Sequence, residues 1–191
     1  MAKLTKRKLQ AQVTYENIYN AAMSLVEKKG FKNITVKEIC EIAGVSIGSF
    51  YNYFSSKDDI LQEVFKKADN FFLNVVANNL KGKNAKEKIV NFFIYYAEYC
   101  KRDKFDQLKE IYNTSNTMFI KKGRPMQEVL KKVVEEGIEK GELTTDMTPD
   151  EVVRFFFIAL RGVIFDWCLH DGSYDLIQFT KEYTERLLKC F

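Results

Sequence analysis

The chain has 191 residues, 46% of them apolar, and a formal net charge of +4, enough to bury a sizeable core in one large domain or two small ones. No apolar run reaches the length of a membrane span, and the longest, Phe155 to Leu169, is interrupted by Arg161 and Asp166. Cys40, Cys100, Cys168 and Cys190 are widely spaced with no CxxC pair, and His170 is the single histidine; this argues against a zinc site or a disulfide framework and for reduced, mostly buried thiols, with no cofactor expected.

Charge is uneven along the chain. Residues 1–60 carry nine Lys or Arg against six Asp or Glu, with Lys3, Lys6, Arg7 and Lys8 at the tip. That is a modest footprint for a polyanion, and the tip reads either as a minor-groove arm or as a solvated tail. The opening MAKLTKRKLQAQ is basic but has no apolar h-region. It is not read as a secretory signal, so a cytoplasmic location is expected.

Apolar residues recur at three- and four-residue spacings almost throughout, so the chain is expected to be all-α. The first helix is placed from Thr14, as N-cap, to Lys29, with Ile18, Ala21, Ala22, Leu25 and Val26 inward and Gly30 as the stop. Thr35 and Glu38 have capping-box spacing ahead of a short second helix, whose Val36, Ile39, Ile42 and Ala43 face inward. Gly44 supplies a sharp turn, and Ser46 caps a third helix running to about Tyr53. Ser56 caps a long fourth helix, 57–79, with Asp58 and Asp59 in its first turn. Later helices are expected over 84–101, 104–116, 125–140, 149–170 and 174–189, with Pro125 and Pro149 in first turns.

Two short helices joined by a glycine turn behind a longer one make a helix-turn-helix arrangement, with residues 46–53 as reader of a major groove. Gly48 and Ser49 are small enough for close backbone approach. Ser46, Ser49, Asn52 and the hydroxyls of Tyr51 and Tyr53 can donate to phosphates or base edges, and Lys57 can pair with a phosphate.

The stretch TYENIYNAAMSLVEKKGFKNITVKEICEIAGVSIGSFYNYFSSKDDIL resembles the DNA-binding region of the tetracycline-repressor (TetR) family of bacterial transcriptional regulators. The likeness is carried by Ile18, Ala21, Ala22, Gly30, Phe31, Thr35, Val36, Ile39, Ala43 to Ser46, Gly48, Phe50, Tyr51, Tyr53, Phe54, Lys57 and Leu61. It implies a helix-turn-helix domain over 1–56. A helical ligand-binding and dimerisation domain over 57–191 would begin with a connecting helix, 57–79. Tyr51 and Lys57 would anchor phosphates with Tyr53 beside them. Ile47, Gly48, Ser49 and Asn52 would approach base edges, as would Lys37, and Thr35 and Ser46 complete the expected DNA-binding set. Phe50 and Phe54 are read as core.

The C-terminal part is rich in aromatics, Phe105 among them. A largely apolar effector pocket is expected from Phe92, Tyr96, Tyr99, Tyr112, Asn116, Phe156 and Trp167. The 149–170 helix is apolar almost all round, which calls for a second cover beyond its own core. A homodimer interface is therefore expected at Phe157, Leu160, Gly162 and Ile164, joined by Leu176, Phe179, Tyr183 and Leu187. The leading reading is a repressor released from a palindromic operator by a small, mainly apolar molecule. The contrasting one is a helical lipid- or small-molecule-binding protein, or an enzyme, without DNA-binding activity. An enzyme is not expected: no phosphate-cradling glycine loop or GxSxG occurs, and Asp166 and His170, one helical turn apart, have no nucleophile beside them.

Overall fold

The computed structural model describes residues 6–102, 105–112 and 116–191, with residues 105 and 106 described by backbone alone. Lys3 of the expected arm therefore lies outside the described residues, as does the side chain of Phe105. The described residues are helical and fall into two units, one up to Val64 and one from Phe65. The division lies inside the long fourth helix, about two helical turns past the expected domain boundary.

In the first unit α1 spans Lys6–Lys29, starting a full two turns before the expected Thr14. Thr14 is not a cap; its hydroxyl donates to the Gln10 carbonyl at 2.9 Å inside the helix. The polar run before it has no Gly or Pro to break a helix, so the helix continues through it. Gly30, at φ 76°, ends α1, and its N–H bonds to Val26 O at 2.8 Å. The capping box forms at Thr35 and Glu38 and starts α2 (Val36–Ala43), which Gly44 closes in the left-handed region at φ 66°. Ser46 Oγ accepts from Ser49 N at 3.1 Å and starts α3 (Ile47–Tyr51). Ile18, Ala22, Val26, Ile39, Phe50, Phe54 and Ile60 close the core of this unit. Ile42, expected inward, is 55% exposed. It sits at the edge of the stripe centred on Ile39 and Cys40, and so short a helix buries little more than that centre.

The fourth helix begins as α4 (Asp58–Phe71), becomes π-helical over Phe72–Val76 and ends as α5 (Ala77–Asn79). In the second unit follow α6 (Ala85–Arg102), α7 (Phe105–Ile111), a 3-10 turn at Thr117–Ile120, α8 (Pro125–Glu139), α9 (Pro149–Leu169) and α10 (Leu176–Leu187). Thr148 and Glu151 form a second capping box ahead of α9. Here α6 packs against α8 and α10, and α8 against α9. Phe72, Ile89, Phe92, Phe93, Leu130, Phe156, Leu160 and Ile164 are its largest fully buried side chains.

Gly137 sets how closely α8 approaches the start of α6. A Cβ there would lie 2.4 Å from Ala85 Cβ and 2.9 Å from Leu143 Cδ1. The same corner is tied by Ala85 N donating to Glu142 Oε2 at 2.6 Å. Gly137→Ala should cost about 1–3 kcal/mol, because packed helices must part to admit the methyl. Chemical denaturation measures it, and an unchanged midpoint would mean the two helices yield freely there.

Candidate nucleic-acid interface and effector core

The four aromatics of the 50–54 segment divide between inside and outside, and α3 causes the division. Phe50 and Phe54 are buried; Tyr51, one residue round the helix, is 55% exposed. Tyr15 of α1 stacks on Phe54 with ring centroids 4.8 Å apart and meets Tyr53 edge-on at 6.3 Å. Tyr15 was not singled out from the sequence, although extending the Ile18 stripe back one turn reaches it. Burial, followed by its hydrogen bond to Glu63, holds its phenol above the ordinary tyrosine range. It stays neutral and braces the inner side of the segment.

The outer side presents Lys37, Ser46, Ile47, Gly48, Tyr51 and Asn52, all exposed, with Ser49 and Tyr53 half-buried. Around Gly48 the nearest atom to an added Cβ is Ser46 Oγ at 3.9 Å, so the backbone there is open to close approach. Ile47, 49% exposed, offers an apolar surface of the kind that meets a thymine methyl. Ser46 Oγ uses a lone pair for its cap and keeps its hydroxyl hydrogen for an outside acceptor. Thr35 instead spends its hydroxyl on Glu38 Oε2 at 2.8 Å. Bonds from Lys29, then Thr35, hold the Glu38 carboxyl down to about 2, so the cap stays charged well below neutral pH.

Lys57 departs from expectation. Its ammonium donates to the carbonyls of Phe31 at 3.0 Å, Ile34 at 3.1 Å and Lys32 at 3.4 Å, and lies 4.9 Å from the Phe31 ring centroid. All three donors are directed inward, so this side chain clamps the turn between α1 and α2 instead of pointing at a phosphate.

In the second unit the expected pocket residues are largely packed core. Phe72 lies 4.9 Å from Phe92 and 6.3 Å from Tyr96, and Phe93 lies 5.8 Å from Phe156, which in turn stacks on Phe191. The hydroxyls of Tyr96 and Tyr112 bond to each other, with Cys100 Sγ 3.6 Å from that of Tyr112. Burial pushes both phenols well above their usual range, so the pair is uncharged. Tyr99 lies half-buried with its ring 5.0 Å from Phe71. Trp167 Nε1 donates to Tyr174 O at 2.9 Å, and Asn116 caps the turn at Met118. Phe92, Tyr96 and Tyr112 thus belong to one aromatic core. Trp167 and Asn116 are committed to local bonds. An open cleft of about 480 Å3 lies instead between α6 and α10, lined by Lys86, Val90, Lys181 and Leu188 among others.

Half of the residues expected at a dimer face lie inside the unit instead. Phe157, Leu160, Ile164 and Leu176 are buried within the unit, Phe157 against Phe92, Phe93 and Tyr96. A helix apolar on every side gives no phase from sequence, and α9 turns these residues inward. Exposed on its other side are Ile158, Phe165 and Leu169, at 53%, 46% and 66%, with Gly162 open between them. The spacing of four, three and four residues places them on one stripe. Phe179 of α10 is exposed, and Tyr183 and Leu187 are half-buried. Among the described residues no group of three or more His, Cys, Asp or Glu is placed to hold a metal ion, and no helix is long and apolar enough to cross a membrane.

Residues 18–64 match the family model described as bacterial regulatory proteins of the tetR family, and residues 116–190 match the C-terminal region of the YsiA-like proteins. Over 94% of its length the chain is 26% identical to the fatty acid metabolism regulator protein of Bacillus subtilis, covering 96% of that protein. The fold is shared with the transcriptional regulator FadR of B. subtilis, solved with stearoyl-CoA, at a TM-score of 0.72 and 21% identity over 93% of this chain and 99% of that one. It is also shared with Thermus thermophilus FadR, a repressor solved with lauroyl-CoA, at a TM-score of 0.69 and 23% identity over 92% and 93%.

Proposed function

The chain belongs to the TetR family of bacterial regulatory proteins, and on that premise we propose that it is a homodimeric repressor whose operator is released when a long-chain acyl-CoA binds the second unit. The observation that carries the effector class is the end-to-end similarity to a fatty acid metabolism regulator, supported by the aromatic core around Tyr96 and Tyr112. These rings are packed in this structure, so an acyl chain would enter by parting them, and an apolar lining would then suit it. The uncharged phenol pair suits a thioester better than a free carboxylate, which burial would penalise. Its acyl chain matches the apolar part of the expected effector, but the large, polyanionic CoA group departs from the small, mainly apolar molecule expected from the sequence.

The reading face is the Ser46–Asn52 segment, with Ile47 and Asn52 toward base edges and Ser46, Tyr51 and Tyr53 toward phosphates. The dimer face is the stripe Ile158, Gly162, Phe165 and Leu169, beside Phe179. A second copy is its occupant. A two-fold pair covers the stripe with itself and offers two α3 helices to successive major grooves. For release, acyl-CoA must bind the operator-incompetent state more tightly than the competent one.

The test is selection of bound duplexes from a random pool, repeated with lauroyl-CoA and stearoyl-CoA. An inverted repeat should be enriched, its binding should weaken steeply with salt, and acyl-CoA should abolish it. A pool that shows no enrichment removes the DNA-binding reading and favours a helical lipid-binding protein. Enrichment insensitive to either acyl-CoA removes the effector class. Within the recovered site, Tyr51→Phe should lower affinity about five- to tenfold for specific and unrelated duplexes alike, the effect of losing one hydroxyl–phosphate bond. A loss confined to the specific duplex would place Tyr51 on a base.

A further inference from the structure

Asp69 and Arg124 form a buried ion pair that neither the reading face nor the effector core accounts for. Arg124 Nε and Nη2 donate to the two oxygens of Asp69, each at 3.1 Å, and the residues are 6% and 8% exposed. Met126 N–H adds a third bond to Asp69 Oδ1 at 3.3 Å. Asp69 stands on α4, and Arg124 is the N-cap of α8. Such a pair adds little net stability, because taking both charges out of water offsets their attraction; its best-attested use is to fix register.

A second feature lies on the same helix. Three residues after Asp69 the helix turns π-helical over Phe72–Val76, where it also packs on α8. Short π-helical turns are frequent at functional sites. A run of ring contacts joins the aromatic core to the pair. Tyr112 and Phe119 lie 4.8 Å apart, Phe119 and Phe65 5.2 Å, and the Arg124 guanidinium 4.8 Å from the Phe65 ring. The first turns of α4, up to Val64, belong to the unit that carries α3.

We propose that the Asp69–Arg124 pair is a latch holding α4 in its operator-binding register, and that effector binding opens it while the π-helical turn absorbs the displacement. This rests on the ligand-responsive reading above and names the device that transmits the response. Both sites then bias one two-state element, which is the physical requirement for coupling them.

Asp69→Asn keeps the side-chain shape and removes the charge. In the ligand-free protein it should weaken binding to the selected operator duplex about tenfold, with helicity and oligomeric mass unchanged. By reciprocity it should tighten lauroyl-CoA binding by a similar factor. Arg124→Gln should act alike, and the double variant should be no worse than either single one. A merely structural pair would leave both affinities unchanged or lower them together with thermal stability. In the unaltered protein, hydrogen exchange at the Met126 amide should slow on adding the operator duplex and quicken on adding lauroyl-CoA, with the Leu130 amide unmoved. If lauroyl-CoA does not bind the unaltered chain, the effector class fails and the operator measurements still decide the latch. Wild-type operator affinity in Asp69→Asn, or Met126 exchange indifferent to the operator, overturns it.

Discussion

Phe165→Glu should convert the proposed dimer to monomers that keep their helicity. Phe165 is 46% exposed on the α9 stripe, so within one chain the carboxylate can still reach water. In a two-fold interface it places a carboxylate against apolar Ile158 and Leu169, and symmetry does so twice. An unpaired charge in such a setting costs several kcal/mol, and a total of about 3 kcal/mol already raises the dimer dissociation constant more than a hundredfold. Operator affinity should fall with it, because each monomer then holds one half-site. Sedimentation at micromolar concentration reads the mass, and circular dichroism the helicity. A Phe165→Glu protein that still sediments as a dimer would move the interface off this stripe. The contrast with Phe157→Lys sharpens the assignment. That side chain is only 7% exposed and packed on Phe92, Phe93 and Tyr96, so its replacement should lower thermal stability before it affects assembly.

Lys57→Met should destabilise the first unit by about 2–3 kcal/mol, the order expected when charge-assisted bonds to backbone carbonyls are lost. The hydrocarbon stem is kept, so the change isolates the ammonium and its bonds to Phe31, Ile34 and Lys32. The turn they hold sets the start of α2, and through it the platform for α3. The salt dependence of operator binding should stay the same, since a clamped ammonium neutralises no phosphate. Denaturant titration gives the stability, and binding at several salt concentrations gives the slope. Full stability combined with a slope reduced by one phosphate's worth would return Lys57 to the DNA face.

The helix-turn-helix was legible because its signals are local. Thr35 and Glu38, Gly44 and Ser46 each act on a backbone group within four residues, and each formed the cap or turn its spacing implied. Pro125 and Pro149 mark the starts of α8 and α9 for the same reason. Thr14 shows the limit of that logic. A residue type that favours caps does not cap when the chain before it also favours helix, and the extended α1 absorbed it.

Neighbouring residues alone place most of the helix starts and ends and the core face of α1. A hydrogen bond to residue i±4 or an apolar period of three to four is written in neighbouring letters. The partners of Lys57, 23 to 26 positions away, and of Asp69, 55 positions away, are met only when the chain packs. Packing also decided which side of α9 faces inward. Periodicity supplies a phase only when polar residues mark one face, and α9 has apolar residues on all of them; the phase came from packing Phe156, Leu160 and Ile164 into the unit's core, which left Ile158, Phe165 and Leu169 outside. The aromatic residues divide for the same physical reason. Their hydrophobicity puts them inside, but whether a ring fills space or borders it depends on neighbours brought together from distant parts of the chain.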